Sequence, residues 1–335
     1  MSWTALLDDT AVHDAEYRGG LSNHLPMALQ ALHALGAGDE RLRGFVCVYA
    51  RRLETAPAAQ AWPAGEAWRA RLGERAAWPA YRDLFTHWLE TEDAGQVLAQ
   101  VLPTLMAGGG AAAFHGLIRT AYAVRAAHRQ ALADALAYWA CRWLDLGHSG
   151  AQAAARADTR ARETNPAVVL RRVPALRQAD PDALIFQRMQ AVAGQPGFEA
   201  AVSRLRITQG TLPALARGAA ELYARSGNFT VLHLLTSAHA VRLLLPQIEE
   251  ALPAVADYWR AFAAGWAASG ARDVGTVPTR PWPEIVAGAI GSDDEHVIKL
   301  VHSCREQEAA LGGPVWRQAA SRVLPLRPLP LPLSR

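Results

Sequence analysis

The stretch 293-DDEHVIKLVHSC-304 holds the only lysine of the chain, Lys299, three residues after His296 and three before His302. Every other member of the 34 Lys plus Arg is arginine. A helix turns about 100° per residue, so positions three apart lie about 60° apart on its surface. His296 and Lys299 can therefore face one pocket, and so can Lys299 and His302. His296 and His302, six apart, diverge by about 120°. The same holds for His233 and His239 in 230-TVLHLLTSAHAVR-242. Each pair is expected to offer one residue to a site and one neighbour to it.

A buried lysine loses the hydration of its ammonium, and its pKa falls from about 10.4. The neutral amine is a nucleophile that can form a Schiff base, act as a base, or take up CO2 as a carbamate. Arginine cannot substitute, because a guanidinium stays protonated. Six of the eleven histidines, His24, His115, His233, His239, His296 and His302, lie in apolar, helix-forming surroundings. Several imidazoles and a divalent metal would favour the anionic carbamate by charge. A single histidine on an apolar face is ordinarily a hydrogen-bonded core residue, and six on four separate helices weaken that account. No HExxH spacing and no evident carboxylate triad is present. Spacing alone leaves open both a metal site and core packing, and a lysine whose ammonium reaches solvent remains the plain alternative.

Arg119 and Tyr122 follow His115 by four and seven residues on the same helical face. They are candidates to orient a phenolate or carbonyl of a substrate. Gly108–Gly110 either cradles an anion or lets helices pack closely. Trp68, Trp78 and Trp88 could line an aromatic pocket or fill core. Cys304 reads as a buried cysteine more than a nucleophile. Asp293 and Asp294 either support a ligand N–H or favour a helix N-terminus. No G-x-S-x-G, GxGxxG or Walker pattern occurs, so neither serine hydrolysis nor nucleotide binding has a motif.

These residues need helices to position them, and alanine abundance with few β-branched runs predicts an all-α protein. We expect a single helical domain over 1–323 with a buried metal site between helices, and a Pro/Leu-rich extended tail over 324–335. A helical pattern with Leu25, Leu29 and Leu32 follows Ser22 and ends near Gly36 and Gly38; others cover 40–54, 81–103 up to Pro103, 111–146, two or three segments within 180–224, 229–245 capped by Asn228, and 248–268. A further helix follows Ser292, whose spacing to Glu295 forms a capping box. Residues 55–80, 148–166 and 270–283 read as connections. The formal charge of +3 is too small and scattered for nucleic acid. The N-terminal residues show no secretory signal, and the apolar run 231–245 is too short for a bilayer. Three lone cysteines fit a reducing compartment, so a cytoplasmic protein without membrane or nucleic-acid partners is expected.

The segments 18-RGGLSNHLPMAL-29, 81-YRDLF-85, 107-AGGGAAAFHGLIRTAYA-123, 227-GNFTVLHLLTSAHAVR-242 and 292-SDDEHVIKL-300 together resemble the questin oxidase-like family. The resemblance implies a mainly helical oxygenase that uses O2 on a small aromatic substrate of the anthraquinone-like polyketide class. The reaction implied is oxidative C–C cleavage or a Baeyer–Villiger-like oxidation. It also implies a non-haem Fe(II) held by four histidines and a carboxylated lysine. The matching positions are His24, His115, His233, His296 and Lys299, with His239 in reserve for His233 and His302 for His296. NADPH is implicated for some members, but no motif here binds it. Two other readings remain: a metal-free Schiff-base or acid–base enzyme using Lys299, and a non-catalytic helical binding protein.

Overall fold

The computed structural model describes residues 3–147, 163–176, 180 and 182–324. The chain is all-α, as expected: the described residues form sixteen α-helices and one two-stranded hairpin. Helix α1 is Trp3–Thr10, and the hairpin pairs β1 (Glu16–Tyr17) antiparallel with β2 (Leu21–Ser22). There follow α2 (Leu25–Leu35), α3 (Asp39–Ala50), α4 (Trp78–Thr91), α5 (Ala94–Ala107), α6 (His115–Ala126) and α7 (Arg129–Cys141). Then come α8 (Pro166–Leu170), α9 (Ile185–Ala193), α10 (Phe198–Val202), α11 (Thr211–Ser226) and α12 (Phe229–Leu244). The last four are α13 (Ala251–Ala268), α14 (Trp282–Ile290), α15 (Glu295–Leu311) and α16 (Val315–Val323). One hydrophobic cluster runs through the described residues from Leu6 to Leu324. The rest of the Pro/Leu tail and most of the 148–166 connection lie outside the described residues.

Several boundaries differ from the sequence reading, each for a local reason. The 81–103 pattern is two helices. The chain breaks at Glu92, and the Asp93 side chain caps α5 by accepting the Gly95 N–H. Pro103 lies inside α5 instead of ending it. The 111–146 pattern also splits, because Ala127 adopts a left-handed conformation and His128 starts α7. The N-cap of α15 is Asp294, which accepts the His296 N–H, and not Ser292. The apolar run 231–245 lies in a segment, Phe229–Gln247, that has the length and apolarity of a membrane span. Most of it is buried within the fold, as the core helix of a bundle is.

Four helices form a closed cage. Helix α2 packs on α6, α6 on α12, α12 on α15, and α15 back on α2. Close approach around α6 depends on small residues. A Cβ at Gly116 would fall 2.8 Å from Trp139, and one at Gly108 would fall 2.3 Å from the Trp143 ring. The triple glycine therefore serves packing. Beside the cage stands the hairpin, anchored through the Glu16 carboxylate. Arg75, Arg142 and the Tyr138 hydroxyl all donate to it, and Ser22 bonds Tyr138. Burial alone would raise the Glu16 pKa, but the two arginines outweigh it and hold the group below its ordinary 4.5.

Candidate metal centre

Each cage helix brings one histidine, and each does so near its N-terminus. His24 is the N-cap of α2, and His115 is the first residue of α6. His233 lies in the second turn of α12, and His296 is the second residue of α15. The His24 and His115 rings stack with centroids 4.5 Å apart. His24 meets His296 at 4.7 Å, and His115 meets His233 at 4.9 Å. His233 and His296 lie 5.5 Å apart. His24, His115 and His296 each offer a ring nitrogen within 4.8 Å of the others. His233 completes the ring of imidazoles but stands outside that triple.

The backbone sets the tautomers of two of them. His115 Nδ1 lies 2.5 Å from the Ala112 carbonyl, and His233 Nδ1 lies 2.8 Å from the Phe229 carbonyl. A carbonyl only accepts, so both Nδ1 atoms carry the proton and both Nε2 atoms keep a lone pair. Reaching Ala112 requires an unusual backbone: Ala112, Ala113 and Phe114 all have positive φ (45°, 56° and 70°). Three successive non-glycine residues in the left-handed region cost energy, and such strain gathers at functional sites.

Lys299 sits one turn below His296 and is fully buried. Its Nζ has no hydrogen-bond partner among the described residues, and neither do His115 Nε2 and His24 Nδ1. Burial pushes the Lys299 pKa down to about 8, against the pull of Glu295 and Asp294. Burial likewise drives His24, His115 and His233 well below 6.5, and the Lys299 charge adds to this for all three. The imidazoles are neutral, the state a metal requires. The close ring nitrogens of His24, His115 and His296, with an unpartnered buried amine on the same helix as His296, are a donor set that a cation would satisfy.

Carboxylates stand behind this layer. Glu295 is buried, with Oε1 3.6 Å from His24 Nδ1 and 3.7 Å from His296 Nδ1, and Arg52 lies 3.6 Å away on its other side. Asp294 Oδ1 is 3.4 Å from His296 Nδ1, and its bonds to His296 take its pKa down to about 2 despite partial burial. Asp294 thus both caps the helix and stands beside the His296 ring. Asp293 instead pairs with Arg41 at the surface. The sequence reading took Glu295 only for a cap. Its place directly before His296 was the available signal.

The second histidine of each pair goes elsewhere. His239 Nδ1 bonds Ser303 Oγ at 3.1 Å, and His302 Nδ1 bonds the Tyr122 hydroxyl at 3.0 Å. The two rings are 5.6 Å apart, closed within the core. Burial takes His302 down to about 3. Arg119 and Tyr122 line a space of only about 10 Å³ on another side of α6. Trp68 and Trp88 pack against Phe85 and Trp78 is core. Cys304 is buried and its thiol pKa is raised, so it is no nucleophile.

Above the histidines opens a cavity of about 420 Å³, within the range of small-molecule sites. His24, His115, His233 and His296 line it. The hairpin forms one side, and residues 183–188 with the start of α9 form another. Phe229, half exposed, packs edge-on against His233 and His296, both at 4.8 Å. Tyr17, Leu21, Leu184, Ile185 and Phe186 make the lining mainly apolar.

Fold and site define a helical protein with a multi-histidine centre under an apolar substrate-sized cavity. The chain belongs to the questin oxidase-like family, whose family model matches residues 21–304. Membership makes it an oxidoreductase of the oxidase or oxygenase kind. A comparison with curated proteins finds no match.

Proposed function

We propose that this chain is a non-haem iron-dependent oxygenase that oxidises an aromatic polyketide, of anthraquinone-like shape, with O2. The reaction class is oxidative C–C cleavage or Baeyer–Villiger-like insertion. The observation that carries the reading is the ring of four imidazoles on the cavity lining, backed by a buried lysine with no partner among the described residues. His24, His115, His233 and His296 would hold the iron, with Lys299 as a carbamate. When bound, iron would supply the activation of O2 that a closed-shell aromatic substrate needs.

The side chains have definable tasks. Lys299 Nζ, once deprotonated, would attack CO2: the C–N bond forms as one C–O π bond opens to oxygen, and the nitrogen then releases one proton to water to leave the anionic carbamate. The Ala112 and Phe229 carbonyls keep the lone pairs of His115 and His233 on Nε2. Asp294, 3.4 Å from His296 Nδ1, and Glu295, 3.6 Å from His24 Nδ1, would add negative charge beside the imidazoles and strengthen their hold on a cation. Phe229, Phe186 and Leu184 exclude water and hold a flat ring system over the histidines.

The Schiff-base alternative needs a substrate carbonyl at Lys299 Nζ. Lys299 is wholly buried and does not line the cavity, which favours the metal reading. We also place the protein in the cytoplasm, in keeping with its free cysteines. NADPH has no support from any described residue.

Metal analysis by plasma mass spectrometry on anaerobically purified wild type and Lys299→Arg tests the reading. Near-stoichiometric iron in the wild type and its loss in the variant are expected, with O2 uptake on hydroxyanthraquinones. No metal in either protein would overturn it.

A further inference from the structure

Arg188 lies on the cavity wall, near the start of α9. Its Nε is shut from solvent and bonds to nothing among the described residues. The rest of the side chain is partly exposed and lines the cavity, so the guanidinium charge stands at an apolar wall with no ion pair among the described residues. Among the described residues no other arginine lines the cavity. The one carboxylate there, Glu295, is already engaged by Arg52, His24 and His296. Among the described residues, no acid therefore answers the Arg188 charge at the cavity.

The electrostatics of the site point the same way. The N-terminal ends of α2, α6, α9, α12 and α15 all reach the cavity. Helix N-termini carry partial positive charge and favour anions. The walls between them are apolar and aromatic, so they take the body of a ligand and not its charge. Only the Arg188 side offers a fork of donors that matches a carboxylate or an acidic phenolate.

We propose that Arg188 is a specificity-determining residue that binds an anionic oxygen of the substrate. The substrate class is thereby narrowed to planar aromatics bearing a carboxylate or acidic phenol at one end. Its ring system lies among Phe186, Phe229 and Leu184, and its acidic group anchors on the guanidinium. The end of the molecule away from the anion is then the part carried toward the histidines. This inference rests on the aromatic-substrate reading and deepens it.

The test is binding, which needs neither metal turnover nor O2. Anthraquinone-2-carboxylate and 2-methylanthraquinone differ chiefly in charge, and each is titrated into metal-free protein while tryptophan fluorescence is followed. Wild type is expected to bind the carboxylate about tenfold or more tighter than the methyl compound. In Arg188→Met the two should bind alike, at the wild-type affinity for the methyl compound. Arg188→Lys should restore part of the preference. Equal binding of both probes to wild type overturns the proposal. Equal weakening of both in Arg188→Met does so too, because it marks a merely structural arginine. Absence of binding by either probe removes the pocket argument. In that case stoichiometric iron, lost in Lys299→Arg, would still uphold the metal centre independently.

Discussion

Helices α12 and α15 each carry two histidines six residues apart, and the two members of each pair have opposite fates. His233 and His296 stand on the cavity lining with His24 and His115, beside Lys299. His239 and His302 close on each other, on Tyr122 and on Ser303 within the core. The chemical difference lies in what holds Nδ1. In the open cluster, two of the rings bond backbone carbonyls, which only accept, so the lone pair is committed to Nε2. In the closed cluster the partners are hydroxyls, which can donate or accept, so the proton can rest on either nitrogen. A fixed tautomer at a cavity leaves a lone pair free to meet a ligand or cation. A free one in a sealed core makes a hydrogen-bond network.

Substitutions in the two clusters should separate these roles. The largest effect is expected from His115→Ala, which removes a ligand and its carbonyl tether. Iron content and O2 uptake should each fall by more than about 100-fold, beyond the range typical of outer-shell changes. His302→Ala should keep its iron but lose about 1–3 kcal/mol of stability in urea, because Tyr122 is left unpaired. If His302→Ala strips the iron instead, the division between clusters fails.

Glu295→Gln comes next. It keeps shape but removes the charge behind His24 and His296, so iron affinity should drop by about 10–100-fold in a competitive chelator titration. Affinity unchanged within about twofold would remove Glu295 from any role in supporting His24 and His296. Tyr122→Phe should cost about 1 kcal/mol with iron content unaltered, read by urea melts and metal analysis on the same sample.

The smallest effect concerns the hairpin wall. Glu16 has a folded pKa below its ordinary 4.5. A depressed carboxyl contributes stability that is full above the unfolded pKa and lost as pH falls through the folded one. Wild type should therefore lose stability as pH drops below about 4.5, and Glu16→Gln should show a flatter profile from a lower plateau. Parallel profiles for the two proteins would remove Glu16 as the anchor.

Much of this was readable in one dimension. Apolar periodicity marks most helices, and Asn228 caps α12 where expected. The 120° divergence at a spacing of six foretells that paired histidines part company. Helix interruptions were less legible. Nothing about an alanine announces the left-handed turn at Ala127, and Pro103 sits within a helix whose packing outweighs a missing N–H. Arg188 could not be found at all from spacing. Its meaning comes from walls contributed by residues over 150 positions away, such as Tyr17 and Leu21.

Ala112 and Phe229 have a dual position whose consequence is evolutionary. Both line the cavity, and both hold a histidine tautomer through the main-chain carbonyl. A carbonyl belongs to every amino acid, so side chains at these two places can be exchanged without altering the ligand set. Selection can then reshape the pocket for a new substrate while the centre stays intact. Pocket shape and tautomer control are thus carried by different atoms of the same two residues.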